Sequence, residues 1–176
     1  MARYEAQSGD CVVLTFKEGV LSAVAHDLEL RVGSFTIDVD DTSHAIDARF
    51  DLRSLRVVCA MKDGRESPST LSDKDMREIE RNMEKDVLDT RRWPEARFVS
   101  KTVRADGEAW VIGGDLTLCG KSRGVEPRAT RTGDRLEARV RLHQPDFGIK
   151  PYKAMLGALR VQADVEVRVS IPAPPR

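Results

Sequence analysis

The sequence lacks the features that would commit it to a membrane, to secretion or to nucleic acid. No hydrophobic run approaches the ~20 apolar residues that span a bilayer, because charged residues interrupt each one. Phe, Trp and Tyr make up only 5% of the chain, which leaves few rings to stack on bases. The 29 basic and 29 acidic residues cancel, so no overall field attracts a polyanion. Stable membrane insertion and a nucleic-acid partner are therefore not expected.

Cysteine is scarce, and its positions do not suggest a disulfide framework. Cys11, Cys59 and Cys119 are odd in number and far apart, which is typical of reduced thiols. The opening segment, MARYEAQSGD, has no basic start, no apolar run and no small-residue cleavage site of the kind that a secretory signal requires. Together these observations predict a cytoplasmic protein with three free thiols.

Motifs for catalysis and metal binding are also missing. The chain contains no Gly-x-Ser-x-Gly, Cys-x-x-Cys or His-x-x-x-His arrangement, and His26, His44 and His143 are not spaced to share a metal. We therefore predict neither enzymatic activity nor a metal nor a catalytic cofactor, and a structural role for His26. The adjacent pair His26 and Asp27 leaves one alternative open, a small-molecule enzyme that uses them as acid and base.

The chain is rich in alternating apolar and polar residues, the period that is typical of half-buried strands. The pattern occurs at 12–16, 46–52 and 136–142, and its phase reverses across Gly33 and Ser34, which predicts a sharp bend or bulge there. The longest run consists of Leu159, Val161, Ala163, Val165, Val167, Val169 and Ile171. These runs and the frequent turn signals predict a mainly β, antiparallel fold of about eight strands.

One segment has the spacing of a helix. Apolar residues recur every three or four positions between 76 and 87, and Ser72 and Asp75 are placed as an N-cap pair. A helix is therefore predicted over residues 73–88. Its single apolar stripe is expected to face the core of its own domain, and flexible thioether side chains suit a lid over an irregular ligand. The predicted lid residues are Met76, Ile79 and Met83.

The length of 176 residues fits a single domain over 1–176, which can bury a core without disulfides or metal. No internal repeat, low-complexity tract or linker divides it. The proline-rich end at 172–176 cannot extend a central strand, and we expect it to fray.

Small residues occupy several positions that are expected to face inward, among them Ala48, Ala138 and Ala163. A barrel of about eight strands with such residues would leave its interior unfilled and open to a ligand. Alternatively, the small residues interlock with larger neighbours, and the filled barrel serves in protein interaction. For an open interior, the predicted ligand-contacting wall consists of Leu14, Phe16, Ala48, Phe50, Phe98, Leu116, Ala138, Val140, Ala163 and Val165.

Four segments, in order, resemble the YceI family: 51–55, 88–100, 114–121 and 146–149. The most specific part is the aromatic-Pro-x-x-x-Phe-x-Ser pattern that begins at Trp93, followed by a Leu-Thr-Leu-x-Gly segment that begins at Leu116. The chain departs from the family where His143-Gln144-Pro145 stands in place of a common arginine, and again at 151–159, a segment that we expect near the mouth of the cavity.

The resemblance implies an extended, lipocalin-like antiparallel barrel that encloses an isoprenoid, quinone-like or other lipid-like chain, with no catalytic residue or metal. The composition and periodicity are consistent with such a fold. The predicted function is therefore the binding of a long apolar molecule for carriage, storage or buffering. The sequence leaves ligand identity and homodimerisation open.

Overall fold

The computed structural model describes residues 1–18 and 25–174, and within these ranges the chain is mainly β-structure. The strands are β1 (Ala2–Glu5), β2 (Asp10–Thr15), β3 (Lys17–Glu18), β4 (Asp27–Val32), β5 (Phe35–Val39), β6 (Ile46–Asp51), β7 (Leu55–Lys62), β8 (Arg65–Ser67), β9 (Glu95–Asp106), β10 (Ala109–Leu118), β11 (Lys121–Val125), β12 (Arg128–Thr132), β13 (Arg135–His143), β14 (Lys153–Ala154), β15 (Leu159–Val161) and β16 (Asp164–Pro172). Short 3-10 turns cover Leu52–Ser54, Gln144–Phe147 and Met155–Gly157.

Thirteen strands form one curled antiparallel sheet in the order β1-β5-β6-β9-β10-β12-β13-β16-β2-β4-β7-β8, with β11 added to β10. A small second sheet has the order β14-β15-β3. The predicted antiparallel β-fold with one helix is confirmed. The predicted number of about eight strands is too low. Bends divide long extended segments into separate strands, and the shortest strands show no alternation in the sequence.

The chain itself joins the two halves of this strand order. β4 runs on into β5 through Gly33 and Ser34, and β6 runs on into β7 through the turn that ends at Ser54. At this bend the Gly33 N–H donates to the Ser54 carbonyl (3.1 Å), and the Asp51 N–H donates to the Ser34 carbonyl (3.0 Å). The Ser34 N–H donates to the Ser54 hydroxyl (2.9 Å). The phase reversal in the sequence therefore marks the place where a long hairpin bends, so that β5 and β6 lie toward one end of the strand order and β4 and β7 toward the other.

The one α-helix of the described residues, α1 (Asp73–Asn82), is followed by a wider π-turn over Met83–Val87. Its start is fixed by a reciprocal cap, since the Ser72 N–H donates to Asp75 Oδ2 (2.9 Å) and the Asp75 N–H donates to Ser72 Oγ (3.1 Å). The helix is tied to β7 by a hydrogen bond from the Val57 N–H to Glu80 Oε1 (3.0 Å). Within residues 1–18 and 25–174, no helix has the length and apolar character needed to cross a bilayer.

Two glycines of the family-like segments make room for aromatic rings. At Gly114 a Cβ would lie 2.7 Å from the ring of Phe98, and at Gly120 it would lie 2.5 Å from the ring of Trp93. Gly120 also has a φ of 75°, which favours glycine. The spacing of aromatic and glycine residues in the sequence therefore reflects direct packing between the start of β9 and the end of β10.

The proline-rich end is partly held. Pro172 is the last residue of β16, and the Ala173 N–H donates to the Asp134 carbonyl (2.7 Å). Residues 175–176 of the predicted frayed tail lie outside the described residues.

Candidate ligand cavity

The curled sheet and α1 line an apolar cavity of about 1090 Å³ that is open to the surface. Because the side chains of a strand alternate, every second residue of the long strands faces it. On β13 the apolar lining residues are Leu136, Ala138, Val140 and Leu142, to which Arg139 is added, and on β16 they are Val165, Val167, Val169 and Ile171. Along these strands the wall offers methyl and methylene groups, as binding of an apolar chain requires.

Seven of the ten predicted wall residues line the cavity. They lie on five strands, β6, β9, β10, β13 and β16. These residues are Ala48, Phe50, Phe98, Leu116, Ala138, Val140 and Val165. Their position in the wall follows from the structure, and their contact with a ligand stays a prediction.

Three predicted wall residues, Leu14, Phe16 and Ala163, do not line the cavity. Leu14 is buried on the other face of β2, between Glu29 and Glu166 of the neighbouring strands. Phe16 follows the end of β2, and Ala163 precedes β16, where its carbonyl accepts a hydrogen bond from the Gln144 N–H (2.8 Å). In β2 the inward residues are Cys11, Val13 and Thr15.

The helix contributes two of the three predicted lid residues. Ile79 and Met83 line the cavity, whereas Met76 does not. Met76 lies one turn before Glu80, whose carboxylate binds the backbone of β7, and residues four apart share a helix face. Met76 therefore lies on the side of α1 that holds the helix to the sheet.

The cavity reaches the surface beside the helix. Asp75 and Glu78 of α1 are exposed and also line the cavity, and so does Met155 in the turn before β15. The expected position of segment 151–159 near the mouth agrees with this arrangement. Across the opening, the Asn82 side-chain amide donates a hydrogen bond to the Tyr152 hydroxyl (3.1 Å).

A second exposed part of the lining lies at the turn between β9 and β10, where Glu108, Trp110 and Arg131 contribute. Charges of both signs meet here, since the nearby Arg128 and Asp106 form an ion pair. The lining is therefore exposed at two places, one beside α1 and one beside Trp110.

Two polar side chains of the wall escaped the sequence analysis. The hydroxyl of Thr15 is buried and has no hydrogen-bond partner among the described residues. Gln144 is only 8% exposed, and its Nε2 donates to the Gln162 carbonyl (3.0 Å). Thr15 belongs to the odd-numbered face of β2. The alternation of Val12, Leu14 and Phe16 predicts that this face points outward, away from the cavity.

The structure separates His26 from Asp27. His26 lines the cavity, but Asp27 does not. Asp27 instead accepts a hydrogen bond from the Lys17 N–H (2.7 Å). In the part of the chain that the structure describes, no three His, Cys, Asp or Glu side chains converge as metal ligands.

The three cysteines are unpaired, and burial raises the pKa of each thiol. The effect is largest at Cys11, which lines the cavity and whose pKa burial raises to about 12. A thiol in such surroundings is a packing group and a poor nucleophile.

Similarity to known proteins agrees with this architecture. Related UPF0312 proteins occur in Photorhabdus laumondii (33% identity over 95 residues) and Pseudomonas putida strain W619 (36% over 92 residues). These alignments cover 48% and 46% of this chain, and 48% of each relative, so the chain spans about half the length of the curated relatives it matches.

Solved structures share the fold. The crystal structure of Burkholderia cenocepacia BcnA aligns with a TM-score of 0.64 at 18% identity, over 94% of this chain and 96% of that one. The Campylobacter jejuni YceI protein aligns with a TM-score of 0.56 at 13% identity, over 85% of each chain. The YceI-like domain model matches residues 9–173, and the chain therefore belongs to the YceI family.

Proposed function

We propose that the protein binds one long apolar molecule, of isoprenoid, quinone-like or fatty-acyl type, inside the curled sheet for carriage, storage or buffering. The supporting observation is the apolar cavity of about 1090 Å³. Small-molecule pockets typically measure roughly 300–1,000 Å³, so this cavity lies slightly above that range. A filled barrel that serves only in protein interaction would not leave such a volume.

The driving force is the removal of ligand surface from water. Each buried methylene contributes ~0.8 kcal/mol, so about ten of them contribute ~8 kcal/mol before the loss of ligand freedom is counted. That loss costs roughly 4–15 kcal/mol, and a short apolar molecule would therefore bind poorly. The volume of the cavity and the apolar chemistry of its wall together favour a long ligand.

The Thr15 hydroxyl favours a ligand that carries at least one oxygen. A buried hydroxyl without a partner is unfavourable. The hydroxyl is closed off from the cavity as the side chain lies, and a rotation about the Cα–Cβ bond of Thr15 would turn it toward a ligand carbonyl or hydroxyl that satisfies it. A quinone-like or fatty-acyl molecule offers such an oxygen, whereas a bare hydrocarbon does not.

The alternative of an enzyme that uses His26 with Asp27 has less support. General acid-base catalysis requires both groups within hydrogen-bonding reach of the reacting atoms. Asp27 is engaged with the backbone of β3 and does not line the cavity. Of the two residues, His26 alone lines the cavity, where it is a polar group near the opening.

The proposal is tested by organic extraction and mass spectrometry of the native protein, followed by titration of the delipidated protein with fluorescent probes. A matched pair of equal length, one an alcohol and one a hydrocarbon, addresses the role of Thr15. Saturable binding of one probe molecule per chain is expected, with the alcohol bound more tightly. Absence of both co-purified lipid and probe binding would overturn the proposed function.

A further inference from the structure

The turn between β14 and β15 exposes apolar side chains at the cavity opening beside α1. We propose that this turn docks on an anionic lipid surface, so that the ligand passes between a bilayer and the cavity. The proposal rests on the proposed function, since docking serves to load or release an apolar ligand.

The exposure of the turn is unusual within the molecule. Leu156 is 109% exposed and Met155 is 65% exposed. The remaining large apolar side chains that are exposed among the described residues occur singly, at Met1, Val58, Val99 and Trp110. A pair of adjacent apolar residues at a turn tip can enter the interface of a bilayer together, whereas isolated ones need no functional explanation.

The backbone holds the pair in this position. Met155 and Leu156 have φ values of 53° and 55°, and Gly157 follows with 86°. Left-handed backbone at two consecutive residues other than glycine is strained. The chain therefore maintains a costly conformation in which Leu156 makes little contact with the rest of the molecule.

The turn is continuous with the cavity wall. Met155 is exposed and also lines the cavity, and Ala154, Leu159 and Val161 line it on either side of the turn. An apolar chain that leaves a bilayer at this place would move along apolar surface into the cavity. This continuity favours a lipid surface over a protein as the occupant.

The charges around the turn also fit anionic lipid. Lys150, Lys153 and Arg160 are exposed, and the chain between Asp146 and Asp164 contains no acidic residue. Cations next to an apolar tip are attracted to anionic headgroups while the apolar side chains enter the interface.

Acidic groups that face the turn lie on other elements. Glu18 of β3 stands opposite Arg160, and Asp75 and Glu78 of α1 lie on the helix side of the opening. The segment between Asp146 and Asp164 itself carries only positive charges. The opening near Trp110 offers a single exposed apolar residue, which makes it the poorer docking surface.

The test uses the full chain with vesicles of phosphatidylcholine, with and without phosphatidylglycerol. Leu156→Asn removes the apolar tip and keeps a residue type that tolerates left-handed backbone. Leu156 does not line the cavity, so affinity for a soluble fatty-acyl probe should not change. Val99→Thr is the matched control, because Val99 is 40% exposed but lies outside the cavity wall.

We expect the wild type and Val99→Thr to sediment with anionic vesicles and to extract a vesicle-borne probe at equal rates. Leu156→Asn should lower vesicle binding and the extraction rate about tenfold. Replacing Lys150 and Lys153 by Gln should weaken binding to anionic vesicles and leave binding to neutral ones unchanged.

Equal vesicle binding by the wild type and Leu156→Asn overturns the proposal, and so does failure of the wild type to bind any vesicle while it binds the soluble probe. In the latter case a protein becomes the occupant of the turn, and the proposed function still stands. Vesicle binding without any probe binding would instead overturn the proposed function.

Discussion

Asn82 in the last turn of α1 donates a hydrogen bond to the hydroxyl of Tyr152 in the loop after β13, with 3.1 Å between Nδ2 and the oxygen. The bond spans the cavity opening. Within the described chain it is the one side-chain hydrogen bond between the helix and segment 148–161. We predict that the pair latches α1 over the opening, because a movement of the helix away from this segment must break the bond.

Tyr152→Phe is expected to speed ligand exchange. The substitution removes the hydroxyl and keeps the ring, so the closed state loses one hydrogen bond of about 0.5–1.5 kcal/mol. Exchange that requires opening should therefore become up to roughly tenfold faster, with a small change in equilibrium affinity. Stopped-flow measurement of probe release from the preloaded protein gives the rate.

Asn82→Ala provides the partner variant for this prediction. If the bond is the latch, Asn82→Ala and the double variant should release the probe at the same rate as Tyr152→Phe, since each lacks the same interaction. Additive effects of the two substitutions, or an unchanged rate in both, would contradict the role of the bond.

Ala138→Trp is expected to reduce affinity for long probes more than for short ones. Ala138 lines the cavity and faces Ala129 and Val169 on the neighbouring strands. An indole at this position would occupy cavity space in place of ligand. Overpacking a filled core typically costs ~1–3 kcal/mol of stability, and the fall in melting temperature should be smaller than such a cost would cause. Titration and thermal unfolding are measured on the same preparation.

Ala163→Trp is the matched control, because the same side chain is introduced outside the cavity wall. Its affinity for the long probe should equal that of the wild type. Equal losses of affinity in the two variants would contradict the assignment of the wall, and a strongly destabilised Ala138→Trp protein would indicate a filled interior.

Much of the fold follows from periodicity in the sequence. The alternating strands, the capped helix and the bend at Gly33 could all be predicted from the sequence, because each depends on local geometry and on one apolar face per element. The course of the bent hairpin could not be predicted, since it depends on hydrogen bonds between Asp51, Ser34 and Ser54 that form only when the two legs of the hairpin lie side by side.

The cavity wall shows where alternation fails. In β2 both faces carry apolar residues, because Leu14 is buried on the outer face while Cys11 and Val13 face the cavity. The period of two was therefore right, and its phase was wrong. At Ala163 the pattern continued past the start of β16, where the chain bends, so a residue in phase with the wall lies outside it.

Native protein at neutral pH is expected to react with a thiol reagent at fewer than three cysteines. Burial raises the pKa of Cys11 to about 12, and the thiolate is the reactive form. Cys119 is half-buried and should react before Cys11. Unfolded, unreduced protein should give all three thiols, and a lower count would reveal a disulfide that the structure does not contain.

Glu29→Gln is expected to raise the melting temperature at neutral pH. Oε2 of Glu29 is buried without a partner among the described residues, and burial, followed by the charge of Glu66, raises the pKa of this carboxyl above its ordinary 4.5. A carboxyl whose pKa is higher in the folded than in the unfolded protein stabilises the folded state below pH 4.5, where it is protonated in both states. This contribution is lost as the pH rises through the pKa of the folded protein. The gain in melting temperature from Glu29→Gln should therefore vanish in acid.

Asp47→Asn is the opposite control, because hydrogen bonds from Arg97 lower the pKa of Asp47. Removal of this carboxylate should lower the melting temperature at neutral pH. A lower melting temperature of Glu29→Gln at neutral pH would show that the carboxylate is stabilised where it lies.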